Sequence, residues 1–211
     1  MAWDEYTRDG SKANRGKEFE DFLNFANQQY QAKGVAVIHK VPTEFLPLRG
    51  PHGQVASCKV TQKSCADYLG HFRGIAVAVE AKSTKAERID FSAVQDHQAE
   101  FLDDWMKNGS GQLAFIAVAF NMRRFFMIPW EFWKAGRDAW EQHKRTKGKV
   151  KKIVQAYGWT WETPGTASVT AEGLLPEWEI RSGGLFGLPY LQIIDLISGG
   201  NKKDDCRGPG C

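Results

Sequence analysis

The chain has 211 residues, of which 42% are hydrophobic and 25% are charged, an ordinary composition for one globular domain of usual size. No apolar run approaches the roughly 18 residues that a membrane span needs, and the polar N-terminus lacks the apolar core of a secretion signal, so the cytoplasm is the expected location, without a membrane partner. The formal net charge of +3 favours nucleic acid only slightly as a partner.

The first half of the chain begins with one helix and one strand. Apolar residues at helical spacing predict a helix over 15–32, which Gly34 ends. The β-branched stretch over 35–41 predicts a strand that stops at Pro42. The segment 43–64 is too long for a tight turn and too polar for a core, so we expect it to project as a hairpin or arm.

A hairpin and a helix are predicted next. A strand over 67–72 turns at Arg73-Gly74 into a second strand over 75–82. After a polar loop, the sequence predicts a helix with Ser92 as its N-cap and Gly109 as its end.

The second half of the chain supplies the central strands. The continuous apolar stretch 113–120 is typical of a strand covered on both faces of a sheet, and 123–129 is its expected antiparallel neighbour. An amphipathic helix follows over 130–144, and the apolar segment 188–197 is expected to dock on the core. The order of elements predicts an α/β fold with a central mixed β-sheet flanked by helices.

The expected organisation is a single domain over 14–198 with its arm at 43–64. The N-terminus over 1–13 is predicted to be flexible, and the Gly-rich, charged tail over 199–211 to be disordered. The chain has four cysteines and no Cys-x-x-Cys, so free thiols are expected rather than a zinc site. Residues 159–180 gave no structural or functional prediction.

A basic run lies near the end of the predicted 130–144 helix. Six Lys or Arg residues fall between Lys144 and Lys152. Such a run is more often a solvated helix end and loop, and less often a patch that contacts phosphates. The sequence leaves both interpretations open.

The tip of the strand over 75–82 carries an acid and a base on one face. Side chains alternate along a strand, so Ala76, Ala78, Glu80 and Lys82 share a face. If the hairpin closes at Arg73-Gly74, its register places Asp67 directly opposite Glu80.

Two adjacent carboxylates repel each other unless a cation offsets their charge, and hard oxygen ligands suit Mg²⁺. Lys82 is placed to orient or deprotonate a water molecule and to offset charge on a phosphate. The arrangement therefore has the parts of a metal-dependent phosphodiesterase. A cross-strand salt bridge at a sheet edge is the commoner explanation of so short a motif, and the residues alone do not exclude it.

Four blocks of sequence resemble one known family in order and spacing. They are "NRGKEFEDFLNFANQQY", "VAVIHKVPT", "DYLGHFRGIAVAVEAKSTK" and "FSAVQDHQAEFL". They closely resemble the RecU family of Holliday junction resolvases, which belongs to the Pro-Asp…Asp/Glu-x-Lys nuclease superfamily. The resemblance runs from about residue 14 to 144 and implies a restriction-endonuclease-like core whose stalk, the 43–64 arm, projects between the first two strands.

The resemblance also implies roles for individual residues. Asp67 and Glu80 would be magnesium ligands, and Gln98 would belong to the same metal site. Lys82 would stabilise the transition state or act as a water-orienting base. Glu20 matches an acidic residue of the first helix that leans over the metal in related resolvases.

Two features depart from the family pattern. Cys65 stands where the family typically has Thr, and a thiol is a poor ligand for a hard cation. The arm is shorter than the family's stalk. Candidate DNA-binding residues lie near the predicted site and the arm: Lys40, Arg49, Lys59, Lys63 and Arg73.

The implied function is an Mg²⁺-dependent endodeoxyribonuclease, with Mn²⁺ as a substitute, that resolves four-way (Holliday) junctions in DNA recombination and repair. The family acts as a homodimer that makes paired symmetric nicks and leaves 5′-phosphate ends, and strand-exchange or branch-migration proteins are candidate partners. Two alternatives stay open: another nuclease of the superfamily that cuts flaps or duplexes, and a non-catalytic DNA-binding recombination modulator on the same fold.

Overall fold

The computed structural model describes residues 12–52, 54–62, 65–181 and 187–200. The described strands are β1 (Ala36–Lys40), β2 (Glu44–Arg49), β3 (Val55–Gln62), β4 (Tyr68–Phe72), β5 (Ile75–Thr84), β6 (Arg88–Asp90), β7 (Leu113–Phe120), β8 (Arg124–Pro129), β9 (Ile153–Ala156), β10 (Trp159–Glu162), β11 (Ser168–Thr170) and β12 (Glu179–Ile180). The described helices are α1 (Lys12–Ala32), α2 (Asp96–Lys107), α3 (Trp130–Thr146) and α4 (Gln192–Gly200).

Most of the predicted flexible N-terminus and disordered tail, residues 1–11 and 201–211, lies outside the described residues. At their inner borders, residues 12–13 and 199–200 are helical. Within the part of the chain that the structure describes, no helix is both long and apolar enough to cross a membrane.

The centre of the fold is a six-stranded sheet with the order β1-β4-β5-β7-β8-β12. Strands β5 and β7 are parallel, and every other pair in this sheet is antiparallel. All residues of β7 are buried, because the strand is covered on both faces and has an apolar side chain at each position. The predicted fold class, a mixed central sheet flanked by helices with a projecting arm, is confirmed.

The β4–β5 hairpin has the predicted register. Tyr68 pairs with Val79 and Phe72 pairs with Ile75, so one further step places Asp67 opposite Glu80. Arg73 and Gly74 both have positive φ, 48° and 84°, which is the geometry of a tight two-residue hairpin turn. The turn therefore fixes which residues meet at the other end of the hairpin.

The arm between β1 and β4 is a hairpin of its own. Strands β2 and β3 form a separate two-stranded antiparallel sheet with irregular register at two points. The described side chains over 46–49 are exposed, so the hairpin stands out from the central sheet.

Helix α2 begins later than predicted. Ser92 does not cap it, but lies in a short 3₁₀ turn over Phe91–Ala93, and Gln95 is the N-cap. The Gln95 backbone N–H donates to Gln98 Oε1 at 3.0 Å, which satisfies a backbone group that would otherwise lack a partner at this helix end. At the other end, Asn108 caps the helix immediately before Gly109.

The region without a sequence prediction completes the core. Strand β12 extends the central sheet beside β8, and β11 pairs with β6. Trp161 and Trp178 are buried against Phe132, with ring centroids 6.4 and 4.8 Å from it. The segment 188–197 docks on the core as predicted, and the buried Tyr190 hydroxyl donates to Asn27 Oδ1.

Replacing Gly136 by alanine is expected to destabilise the fold by about 1–3 kcal/mol. A Cβ at this position of α3 would lie 2.3 Å from the ring of Phe91, and that ring is buried and packs edge-on against Trp133. Gly16→Ala in α1 is the matched control, because nothing lies within 4 Å of its Cβ and alanine favours helix by about 0.5–1 kcal/mol. Urea unfolding of both variants measures the difference, and equal stability would contradict the expectation.

Candidate active site

Glu80 is a fully buried carboxylate at the open end of the β4–β5 hairpin, with 0% of its surface exposed. Its Oε1 accepts hydrogen bonds from Lys82 Nζ and from Gln98 Nε2, each at 2.5 Å. Its Oε2 is buried without a hydrogen-bond partner in the described part of the chain. Asp67 also lies within hydrogen-bond reach of Glu80. Because two facing carboxyl groups repel each other when both are charged, the pair marks a place for a shared proton or a cation.

Asp67 reaches Glu80 from the neighbouring strand. Its Oδ2 accepts a hydrogen bond from the Ala81 backbone N–H at 2.9 Å, as the hairpin register requires. Burial, and next the nearby charge of Asp67, raises the pKa of Glu80 to about 8, although Lys82 opposes this shift. Cys65, two residues earlier, is a half-buried free thiol.

Gln98 enters the site from the first turn of α2. It is 8% exposed, and its Nε2 donates to Glu80 while its Oε1 accepts from Lys82 Nζ at 3.3 Å. Lys82 in turn has 19% of its side chain exposed. The structure therefore brings together four residues named from the sequence: Asp67, Glu80, Lys82 and Gln98.

Glu20 lies beside this group rather than within it. Its carboxylate forms an ion pair with Lys40, and its backbone carbonyl accepts a hydrogen bond from the Tyr68 hydroxyl at 3.2 Å. Burial raises the pKa of Tyr68, and the charges of Glu20 and Asp67 raise it further. The carboxylates of Glu20 and Asp67 therefore both lie near the buried side chain of Tyr68.

Two residues that contact the site were not named from the sequence. Tyr68 joins the Glu20 side of the site to Asp67, and its only signal was its place next to Asp67 in a strand. Gln95 orients Gln98 through its backbone N–H. Its signal was the pair of glutamines three residues apart, which is the spacing of a capping box.

The donor set fits a hard divalent cation. It consists of the carboxylates of Asp67 and Glu80, and Oε2 of Glu80 is a buried oxygen to which no group in the described part of the chain donates. The Gln98 oxygen already accepts hydrogen bonds from Lys82 Nζ and the Gln95 N–H. Among the described residues no group of three or more His, Cys, Asp or Glu is placed to hold a metal ion, so water and substrate oxygens would complete the coordination. Mg²⁺ is bound in this way, by one or two carboxylates with waters and phosphate.

The candidate DNA-binding residues fall in different places. Lys40 ends β1 and is paired with Glu20, whereas Arg49 and Lys59 lie on the two strands of the arm. Lys63 lies outside the described residues. For these four, DNA binding stays a prediction.

The sequence predicts that Arg73 lies near the site or the arm, but the structure places it elsewhere. It lies in the turn that closes the β4–β5 hairpin, and Asp67 and Glu80 lie at the opposite end. Arg73 follows Asp67 by six residue steps along the strand, or about 20 Å. Its guanidinium forms an ion pair with Asp195 of α4 at 2.5 Å, which connects the hairpin turn to that helix.

Without divalent cations, the stability that Glu80 confers is expected to fall as the pH rises from about 5 to 8. Glu80 keeps its proton up to a pKa of about 8 in the folded protein, whereas its ordinary pKa is 4.5. Between these two values the folded state binds more protons than the unfolded state. A rising pH therefore favours unfolding, by at most about 1.4 kcal/mol per pH unit. Glu80→Gln removes the titration. The stability difference between native protein and variant, measured by urea unfolding at several pH values, should therefore change across the window; a constant difference would contradict the shift.

Comparison with known proteins identifies the family. The family model described as "RecU: Recombination protein U" matches residues 14–170. Two relatives, each named Holliday junction resolvase RecU, come from Streptococcus pneumoniae strains P1031 and CGSP14; they are 26% and 27% identical and each match covers 90% of this chain and 88% of the relative. Among solved structures, Hjc of Archaeoglobus fulgidus, described as a Holliday junction resolvase, is weakly similar, with a TM-score of 0.36, 16% identity, and 55% of this chain and 73% of that chain covered. The resemblance seen in the sequence is confirmed: the chain belongs to the RecU family.

Proposed function

We propose that this protein is an endodeoxyribonuclease that resolves four-way DNA junctions. The observation that carries the chemistry is the buried Glu80, whose unpartnered Oε2 lies beside Asp67 and Lys82. Family membership and the names of the relatives, Holliday junction resolvases, support the substrate.

The site residues divide the chemistry between them. Asp67 and Glu80 would hold Mg²⁺, or Mn²⁺ in its place, and Gln98 would belong to the same site by holding Glu80 through its Nε2. When bound, the cation supplies a Lewis acid that polarises the scissile phosphate and lowers the pKa of a bound water. The carboxylates fix that charge at one place, and the apolar sheet around Glu80 excludes competing water.

Lys82 is proposed to offset the charge that develops on the phosphate. Its Nζ donates to Glu80 Oε1 and to Gln98 Oε1, so its protons already point into the site. A fixed donor that faces developing charge stabilises a transition state without reorganisation. Glu20, paired with Lys40, is proposed to act beside the site by keeping Lys40 in place.

The proposed assembly is a homodimer. A four-way junction has two equivalent strands to cut, and a two-fold symmetric enzyme presents two equivalent sites. Paired nicks with 5′-phosphate ends would leave two duplexes that a ligase seals. Strand-exchange or branch-migration proteins are proposed partners because they make and move such junctions.

Recognition should depend on the shape of the junction and its phosphates more than on base edges. Within the superfamily the runner-up is a nuclease for flaps or linear duplexes. A non-catalytic DNA-binding modulator is the less favoured alternative, because Asp67, Glu80 and Lys82 are all present and lie together. Asp67 accepts a hydrogen bond from the backbone of β5, and Lys82 donates to Glu80 on the same strand.

The test is cleavage of a synthetic four-way junction and of a linear duplex with the same sequence, each with and without Mg²⁺. We expect two symmetric nicks in the junction, with 5′-phosphate ends, only when the cation is present. Equal cutting of the duplex would favour the general nuclease. Junction binding without any cleavage would overturn the enzymatic proposal.

A further inference from the structure

Arg137 of α3 contacts the segment of chain that leads into α2. We propose that Arg137 is a positioning residue of the candidate active site, because it fixes the end of α2 from which Gln98 reaches Glu80. The inference rests on the proposed function and adds to it a residue that acts through Gln98 rather than on the DNA.

Gln98 is the donor to Glu80 that comes from outside the strand. Glu80 Oε1 accepts hydrogen bonds from Lys82, two residues further along β5, and from Gln98 Nε2 of α2. Lys82 Nζ also donates to Gln98 Oε1 at 3.3 Å. The relative orientation of the carboxylate and the ammonium therefore depends on where α2 places this amide. A misplacement of about 1 Å in such a site can cost about 10²-fold in rate.

A capping box fixes the Gln98 amide relative to the start of α2. The Gln95 N–H donates to Gln98 Oε1 at 3.0 Å, and the Gln95 side chain accepts from the Gln98 backbone N–H. The box determines where the amide lies within the first turn, but not where that turn lies in the protein. Buried Leu102 holds the middle of α2 in the core, whereas a helix end frays unless it is held separately.

Arg137 supplies a contact at this helix end. Its Nη1 donates to the Val94 carbonyl at 2.5 Å, and its Nη2 forms an ion pair with Asp96. Val94 and Asp96 flank Gln95, so the guanidinium contacts the chain on both sides of the N-cap. Because the donors of a guanidinium form a rigid planar fork, two such contacts restrain direction as well as distance. The first turn of α2 is thereby attached to α3.

The bond to Val94 carries most of this restraint. Asp96 is 88% exposed, and exposed ion pairs stabilise little. Val94 is 1% exposed, and its carbonyl precedes the N-cap, so it lies outside the hydrogen-bond ladder of α2. A buried carbonyl that loses its donor is costly. Without Arg137 the segment would turn this carbonyl toward water and carry Gln95 with it.

Helix α3 is a firm support for this contact. It follows β8 without a connecting loop and buries Trp133 in the core. Trp133 packs edge-on against Phe91, with 5.3 Å between the ring centroids, and Gly136 lets the helix approach the same ring closely. The segment 91–95 is therefore held at two points, by apolar packing near its start and by Arg137 near its end.

A second ion pair joins the same two helices farther from the site. Lys134 Nζ of α3 lies 3.1 Å from Asp103 Oδ2 of α2. Asp103 follows Asp96 by seven residues, or about 10 Å along the helix. Both cations connect α3 to α2, but Arg137 does so beside the capping box and Lys134 does not. Lys134 therefore distinguishes an effect on the site from an effect on helix packing alone.

The test compares Arg137→Met with Lys134→Met, each alone and combined with Gln98→Ala. Both methionine substitutions keep an apolar stem and remove one positive charge from α3. Junction cleavage with Mg²⁺ gives kcat and KM, at a temperature at which thermal unfolding shows each variant to be folded. If Arg137→Met does not fold, Arg137→Lys takes its place, because lysine keeps the charge but lacks the two-donor fork.

We expect Arg137→Met to lower kcat by about 10- to 100-fold, the range for partners that orient the residues of a site, with KM nearly unchanged. Lys134→Met should cleave close to the native rate. In Gln98→Ala protein, Arg137→Met should lower kcat by less than about twofold further, because two residues that act through one interaction are not additive.

The side-chain amide of Gln98 gives a readout that needs neither DNA nor a cation. Its Nε2 protons are assigned in the NMR spectrum by their absence from the spectrum of Gln98→Ala. One of them is donated to Glu80, so their chemical shifts report that contact. We expect both signals to move in Arg137→Met and to keep their native positions in Lys134→Met.

Two results would overturn the positioning role and leave the proposed function intact: unmoved Gln98 signals in Arg137→Met, or the same loss of kcat with and without Gln98. A rise in KM at native kcat would also overturn it, by assigning Arg137 to DNA binding. A native protein that does not cut the junction would overturn the proposed function itself, whereas the Gln98 signals would still test Arg137. The two failures are therefore distinguishable.

Discussion

Glu80→Gln is expected to lower the rate of junction cleavage by at least about 10²–10³-fold. The substitution keeps the shape of the side chain but removes the carboxylate that would face a cation beside Asp67. Because Glu80 is fully buried and the fold raises its pKa to about 8, a neutral side chain is accommodated there without loss of stability. The variant should therefore be folded and inactive, as cleavage kinetics and thermal unfolding together will show.

Glu87→Gln is the matched control for this substitution. Glu87 is an exposed carboxylate in the loop after β5, and its change should leave cleavage close to the native rate. Glu80→Gln should still bind the junction when no divalent cation is present, because Glu80 is fully buried in the folded protein. Undiminished cleavage by the Glu80 variant would remove Glu80 from the chemistry.

Lys82→Met is expected to lower kcat by about 10²–10³-fold while KM changes little. Methionine retains the apolar stem but removes the donor that lies 2.5 Å from Glu80 Oε1. If Lys82 stabilises charge in the transition state, divalent-cation binding measured by calorimetry should survive the substitution. A large rise in KM with kcat unchanged would instead assign Lys82 to substrate binding.

Lys85→Met serves as the control for Lys82. Lys85 is exposed and follows the end of β5 by one residue, so the loss of its charge should have little effect on kcat. Equal losses in both variants would show that overall positive charge, and not the position of Lys82, drives cleavage.

The meeting of Asp67 and Glu80 was predictable from the sequence because a short turn determines the register of the hairpin. Arg73-Gly74 closes the hairpin as a two-residue turn, so alternation and pairing bring Asp67 to Glu80. Gln98 required the family resemblance, because nothing in a helical Gln indicates which strand it will face. The resemblance also supplied the proposed substrate, which the strand tip alone does not specify.

Other parts of the fold depended on contacts distant in sequence. The start of α2 was predicted wrongly because serine is the better N-cap by residue type. In the structure the capping box between Gln95 and Gln98 starts the helix instead. Strands β9 to β12 have two to four residues each, too few for alternation to be recognised. Tryptophans of this region pack against α3 and hold the short strands in place, as Trp178 does by its contact with Phe132.

The hydrogen bonds of Gln98 connect the first turn of α2 to the candidate site. One oxygen closes the first turn of α2 and also faces Lys82, while the nitrogen of the same amide holds Glu80. Fraying of that turn would release the carboxylate, and a cation that draws Glu80 away would loosen the turn. Amide hydrogen exchange at the start of α2 should therefore respond to site occupancy, which makes the first turn of this helix a built-in reporter of the loaded enzyme.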